Sequence, residues 1–266
     1  MLLTALCASP LLWGPTPEAR ADAYAGMDPE QKGLAIAQEA DKRDTGFVDM
    51  TADMRMVLKN RHGESSERQM RMRTKEVSGD GDMSLSVFDT PHDVKGTAML
   101  THSHALEADD QWMYLPALKR VKRIASRNKS GPFMGSEFAF EDLGSQEVEK
   151  YAYKWLRDEE LDGHPTHVVE RYPKYDYSGY TRQVAWMDKG MMQPLKVDYY
   201  DRKNDLLKTQ TFSGYNQYLD QFWRPNRMYM INHQTHKSTE LSWSNYQFRV
   251  GLKERDFDRS GLKRAR

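Results

Sequence analysis

Three groups of residues in this chain carry side chains able to do chemistry. His102-Ser103-His104 places two imidazoles at i and i+2, on one face of a strand, where a sheet can offer two ligands to a metal. A third ligand would have to come from elsewhere, such as His164 or His167. No spacing supplies one, so surface or cross-strand histidines are the simpler expectation. Ser136 lies between Gly135 and Glu137, without a Gly-x-Ser-x-Gly elbow and without a suggested histidine partner. Glu137, Glu141 and Asp142 could be imagined as a glycosidase carboxylate pair, but acids alternating with aromatics also describe an ordinary strand edge. No Gly-rich phosphate loop or dinucleotide fingerprint occurs. The expectation is a non-enzymatic protein with no catalytic residue, no metal and no cofactor.

Two further groups could bind rather than react. The first is the basic run Lys119, Arg120, Lys122, Arg123, Arg127 and Lys129. It reads as a solvated hairpin tip, as a contact for anionic lipid head groups or an acidic partner, or as a nucleic-acid contact. The balance of 39 basic and 39 acidic residues disfavours the last. The acids at Glu137–Asp142 are placed to fold back and neutralise part of the run. Lys119, Arg120, Lys122 and Arg123 are the expected partner or membrane patch.

The second group is large and apolar. Met50, Met54, Met56, Met70, Met72, Leu85, Trp112, Tyr114, Phe138, Phe140, Trp186 and Trp243 sit in or beside segments with a period of two. Flexible thioethers line adaptable binding surfaces and also fill irregular cores. Periodicity does not separate a filled core from an apolar cavity for acyl chains.

The elements that must position these groups are mostly strands. Val48, Met50, Ala52, Met54, Met56 and Leu58 occupy every second position, a half-buried strand. Similar runs recur to Phe248, separated by turns such as Gly79-Asp80-Gly81 and Asp162-Gly163. About ten or eleven strands with no βαβ alternation imply one antiparallel sheet, large enough that it must curl or close. One helix precedes them. Asp28 is its N-cap, Pro29 its first residue and Gln31 completes a capping box, with a thin apolar stripe to about Arg43. Asp256–Gly261 suggests a closing turn or short helix. No linker or repeat marks a second domain.

The N-terminus predicts export. Leu2–Trp13 is a short apolar run followed by small-x-small sites at Ala21-Asp22-Ala23 and Ala23-Tyr24-Ala25, so residues 1–25 are expected to be a cleaved signal peptide. Cys7, the one cysteine, lies inside that run behind Leu6 and is not placed for lipidation. The mature chain, 26–266, would then lack disulfides, as the periplasm permits.

Three stretches carry a resemblance to a known family. They are Phe88-Asp89-Thr90-Pro91-His92-Asp93-Val94-Lys95-Gly96-Thr97, Gln111-Trp112-Met113-Tyr114-Leu115-Pro116 continuing to Ile124, and Phe133-Met134-Gly135-Ser136-Glu137-Phe138-Ala139-Phe140-Glu141-Asp142-Leu143. With them the chain resembles the outer membrane lipoprotein-sorting protein family, relatives of the Lol-type carriers of the bacterial periplasm. The resemblance implies an unclosed half-barrel, a curved antiparallel sheet around a plug of helix and loop, with an apolar hollow. It implies a periplasmic carrier of lipid or lipid-modified protein, monomeric, with an envelope transporter of the resistance-nodulation-division type or a membrane acceptor as partner. A transporter adaptor without lipid cargo is the alternative. No individual ligand residue transfers by motif.

Overall fold

The computed structural model describes residues 23–265. The expected apolar run and Cys7 lie outside the described residues.

Alternating side chains produce thirteen strands among the described residues. They are β1 (Asp49–Lys59), β2 (Ser65–Lys75), β3 (Met83–Thr90), β4 (Ala98–His102), β5 (Asp110–Leu115), β6 (Arg120–Arg123), β7 (Tyr151–Leu161), β8 (His164–Pro173), β9 (Arg182–Asp188), β10 (Pro194–Tyr200), β11 (Leu206–Tyr218), β12 (Phe222–Asn232) and β13 (Ser238–Phe248). This exceeds the expected ten or eleven. Strand β6 consists of Arg-Val-Lys-Arg and looks like a charged tip in the sequence.

All thirteen strands form one antiparallel sheet in the order β6-β5-β4-β3-β2-β1-β13-β12-β11-β10-β9-β8-β7. The sheet is a half-barrel that does not close, with β6 and β7 as its edges. Strands β1 to β6 walk out to one edge, and β7 to β13 walk back from the other to pair with β1. The segment between β6 and β7 must therefore cross the sheet. It runs over residues 124–150 as a series of short 3₁₀ turns.

The crossing segment covers the inner face. Phe133 and Phe138 are buried in a core that also holds Met113 of β5, Met54 of β1 and Ala185 of β9. Residues from both halves of a broad sheet can share one cluster only on the face toward which it curls. Two smaller clusters lie on the opposite, outer face. One contains Leu85, Val87, Leu100, Trp112 and Tyr114, and it is capped by Phe257 and Leu262 from the C-terminal 3₁₀ turns, Glu254–Phe257 and Arg259–Arg264. The other contains Val168, Val184 and Trp186.

Helix α1 (Pro29–Asp44) has the expected capping box, with the Gln31 N–H donating to Asp28 at 2.7 Å. Its apolar stripe is thin and it packs through Ile36 on Val169 and Met192. Gly33 sits directly over the edge strand. A Cβ at this position would stand 2.7 Å from the Trp155 backbone nitrogen and 2.8 Å from the Lys154 backbone. Glycine in a helix interior costs roughly 1 kcal/mol relative to alanine, and here it permits the close approach that covers β7. Gly33→Ala is expected to lower stability by about 1–3 kcal/mol through overpacking, against the helix-propensity trend. Urea unfolding measures it, and a rise in stability would contradict this packing.

Candidate functional site

The inner face is the site the fold builds. Along β1 the pleat sends Met54, Met56 and Leu58 inward, and along β2 it sends Met70 and Met72, with Met54 paired to Met70 across the strands. Phe88 of β3, Met99 of β4, Met113 of β5, Tyr199 of β10, Met230 of β12, and Leu241 and Trp243 of β13 complete the lining. Ten methionines are buried in this cluster or packed against it: 54, 56, 70, 72, 99, 113, 134, 187, 228 and 230.

Of the residues expected in the hollow, the structure brings together Met54, Met56, Met70, Met72, Phe138, Phe140 and Trp243. Phe138 and Phe140 belong to the crossing segment rather than to a strand. Met50 is half-buried on the same face of β1, outside the cluster. Leu85, Trp112, Tyr114 and Trp186 do not reach the hollow and lie on the outer face. They alternate with the true inward positions Met113 and Ala185, so residue type suggested them and the pleat excludes them. Phe133, Met99 and Met230 are hollow residues that type alone did not single out. For Met99 and Met230 the alternation with neighbouring strand positions was the available signal, whereas Phe133 lies in a 3₁₀ turn that has none.

The hollow is filled. Residues 124–150 act as a plug held by polar anchors as well as by Phe133 and Phe138. Lys208 Nζ donates to Asp142 at 2.7 Å and to the Glu137 carbonyl at 2.9 Å, with both charged side chains almost wholly buried. The Tyr180 hydroxyl donates to Asp142 at 2.8 Å. Asn232 Nδ2 donates to the Glu137 carboxylate at 2.8 Å, and the Glu137 N–H donates to Thr239 Oγ1 at 3.0 Å. Arg68 donates to the Met134 carbonyl, and Gln111 Nε2 to the Phe140 carbonyl at 2.8 Å. Glu141 accepts from the Gly179 N–H and the Ser178 hydroxyl, both at 2.8 Å, and burial raises its pKa above the usual carboxylate value. Strands β2, β5, β11, β12 and β13 and the β8–β9 loop all grip the plug. Gln111 Oε1 and Trp243 Nε1 are buried without a hydrogen-bond partner.

Among the acids of the plug only Glu141 acts on a member of the basic run, through the charge of Lys129, and the β6 cations are left without a plug carboxylate among the described residues. Asp142 pairs with Lys208, whereas Lys119, Arg120, Lys122 and Arg123 are exposed beside or on β6. Arg123 pairs with Asp110. Lys129 is buried near Asp109, which also binds Lys150, and burial lowers the Lys129 pKa. The histidines have local partners. His104 Nδ1 lies 2.7 Å from Asp80 and His102 Nε2 lies 2.9 Å from the Phe257 carbonyl oxygen.

Similar proteins follow this architecture. A family model described as an uncharacterized protein matches residues 80–264. The structure of an outer membrane lipoprotein-sorting protein domain from Vibrio parahaemolyticus is 58% identical, covers 88% of this chain and 99% of its own, and superposes with a TM-score of 0.87. A DUF1329 family protein from Desulfovibrio piger is 32% identical over 88% of this chain and 99% of its own, with a TM-score of 0.85. A LolA superfamily protein from Nitrosomonas europaea is 18% identical over 86% of this chain and 98% of its own, with a TM-score of 0.69, and shares the fold. No curated protein matches.

A titratable group lies against the end of the plug, in the β2–β3 turn. Asp82 is pushed up to about 7, chiefly by burial and then by the charges of Glu147 and Glu76. Its backbone N–H donates to Ser145 Oγ at 3.2 Å, which ties the β2–β3 turn to the plug. The folded state holds this proton more tightly than the unfolded chain, whose carboxyl titrates near the ordinary 3.8. The contribution of this group to stability is therefore fully present below about pH 4 and is lost as pH rises through about 7. Asp82→Asn is expected to stabilise the protein at pH 8 by on the order of 3 kcal/mol and to change little at pH 4. Thermal melts at both values check this, and equal shifts at both would contradict it.

Proposed function

We infer the function from one premise: the chain belongs to the outer membrane lipoprotein-sorting protein family. It acts as a periplasmic carrier for lipid or lipid-modified protein. One observation carries the reading. The inner face of an open sheet is apolar and rich in methionine, and what fills it is a connecting segment of the same chain. Phe133 and Phe138 stand where acyl chains would lie, and loading requires the plug to withdraw.

The magnitudes allow this exchange. An acyl chain of about 16 carbons gains roughly 12 kcal/mol on full burial, at about 0.8 kcal/mol per methylene. The plug gives up its aromatic contacts and a set of hydrogen bonds worth about 1 kcal/mol each. The opposing terms are similar in size, as a carrier that must release its cargo requires. An acyl ester carbonyl would also give the Trp243 Nε1 donor an acceptor.

A second reading is favoured by the filled hollow: an adaptor of a resistance-nodulation-division type transporter, using the exposed Lys119–Arg123 edge, with the plug as permanent core. A lock separates the two. Glu137 and Thr239 touch across the plug and sheet, so Glu137→Cys with Thr239→Cys should form a disulfide there. The mature protein is incubated with a lysophospholipid and examined by native mass spectrometry. The reduced form is expected to carry lipid, and the oxidised form to lose most of it. Lipid in neither form would favour the adaptor, and equal lipid in both would remove the plug from the loading step.

A further inference from the structure

The pleat divides the basic patch. In the β5–β6 pair Lys122 stands opposite Met113 and Arg120 opposite Leu115, whereas Arg123 stands opposite Trp112 and Val121 opposite Tyr114. Directly opposed residues share a face about 5 Å apart. Met113 and Leu115 belong to the inner cluster, and Trp112, Tyr114 and Val121 to the outer one. Arg120 and Lys122 are thus inner-face residues at the rim of the hollow, and Arg123 is an outer-face residue held by Asp110. Arg120 and Lys122 are exposed, and among the described residues neither has a carboxylate partner. Since β6 is an edge of the open sheet, this rim faces solvent beside the apolar lining.

We propose that Arg120 and Lys122 form a headgroup subsite for the anionic phosphate of an acyl-chain lipid whose tail occupies the hollow. The proposal rests on the carrier reading and adds the ligand's charge. Two cations directly across the strand pair from Met113 and Leu115 match an amphiphile that changes from charged to apolar over the same distance. Arg120 supplies a planar fork for phosphate oxygens and Lys122 a point charge. The same cations also blunt the sheet edge against pairing, a role that needs no ligand and shows no choice between lipids.

The test uses the mature protein and two lysolipids with the same acyl chain, lysophosphatidylglycerol and lysophosphatidylcholine, with glycerol phosphate as the chainless anion. Binding is titrated by tryptophan fluorescence and calorimetry at low and high salt. The wild type is expected to prefer the anionic lipid about tenfold at low salt, with the preference shrinking as salt rises. Arg120→Gln with Lys122→Gln is expected to abolish the preference and leave lysophosphatidylcholine binding unchanged. Arg123→Gln is expected to retain it, and light scattering confirms that all variants keep the wild-type oligomeric state. Equal binding of both lipids by the wild type would overturn the subsite, as would equal loss in the Arg123 variant. Glycerol phosphate binding as tightly as the lipid would reassign the site to free phosphate esters and overturn the lipid assignment. Binding of neither lipid would instead overturn the carrier reading on which the subsite rests.

Discussion

A sheet that curls without closing has an inner face it cannot bury on itself. That constraint governs this molecule. Ten of the thirteen strands present methionine or aromatic side chains to a common interior, and the strand order leaves β6 and β7 at opposite edges. The connection between these edges has to travel the full width of the sheet. Taking the inner route, residues 124–150 give the apolar face a partner without a second domain. The topology therefore makes the plug, and the plug makes the open sheet stable in water. Helix α1 handles the other exposed element, the β7 edge, through the close approach at Gly33.

The plug's anchors are not those of a greasy stopper. Asp142 and Lys208 are both buried, and each is satisfied by more than the other: Asp142 by the Tyr180 hydroxyl, Lys208 by the Glu137 carbonyl. A buried pair of this kind adds little net stability relative to an apolar one, but removing one member costs several kcal/mol. Such pairs fix a geometry. They hold the plug in one register over a lining of flexible thioethers that would tolerate many. A cargo that displaces the plug must compensate for this polar set as well as for the aromatic contacts. A single methylene or a weak surface contact cannot do so, whereas a long acyl chain can.

Much of the architecture was legible because its signals are local. A period of two marks strands, and Asp28, Pro29 and Gln31 mark a helix start. The site was only half legible. Trp112 and Tyr114 have the composition of cavity residues, yet they stand one position away from the inward-facing Met113 and Leu115. Facing depends on register, and both faces of β3 to β5 are buried here because the C-terminal turns cover the outer one. Alternation then loses its polar half and no longer points to the interior. Strand β6 was hidden for the opposite reason, since an edge strand protected by charge looks like a solvated loop. Lys208 was invisible because its partner, Asp142, is 66 residues away.

If the protein carries lipid, the plug and an acyl chain compete for one space. Hydrogen exchange of the plug amides reports on that competition. Without lipid, the N–H groups of Phe133, Phe140 and Glu141 are bonded to the carbonyls of Phe138, Gly131 and Lys129. They should exchange slowly. At saturating lysophospholipid, exchange across residues 126–143 should accelerate at least tenfold, while the β1–β2 and β11–β12 ladders keep their protection. Stoichiometric lipid binding with the plug amides as protected as before would contradict it.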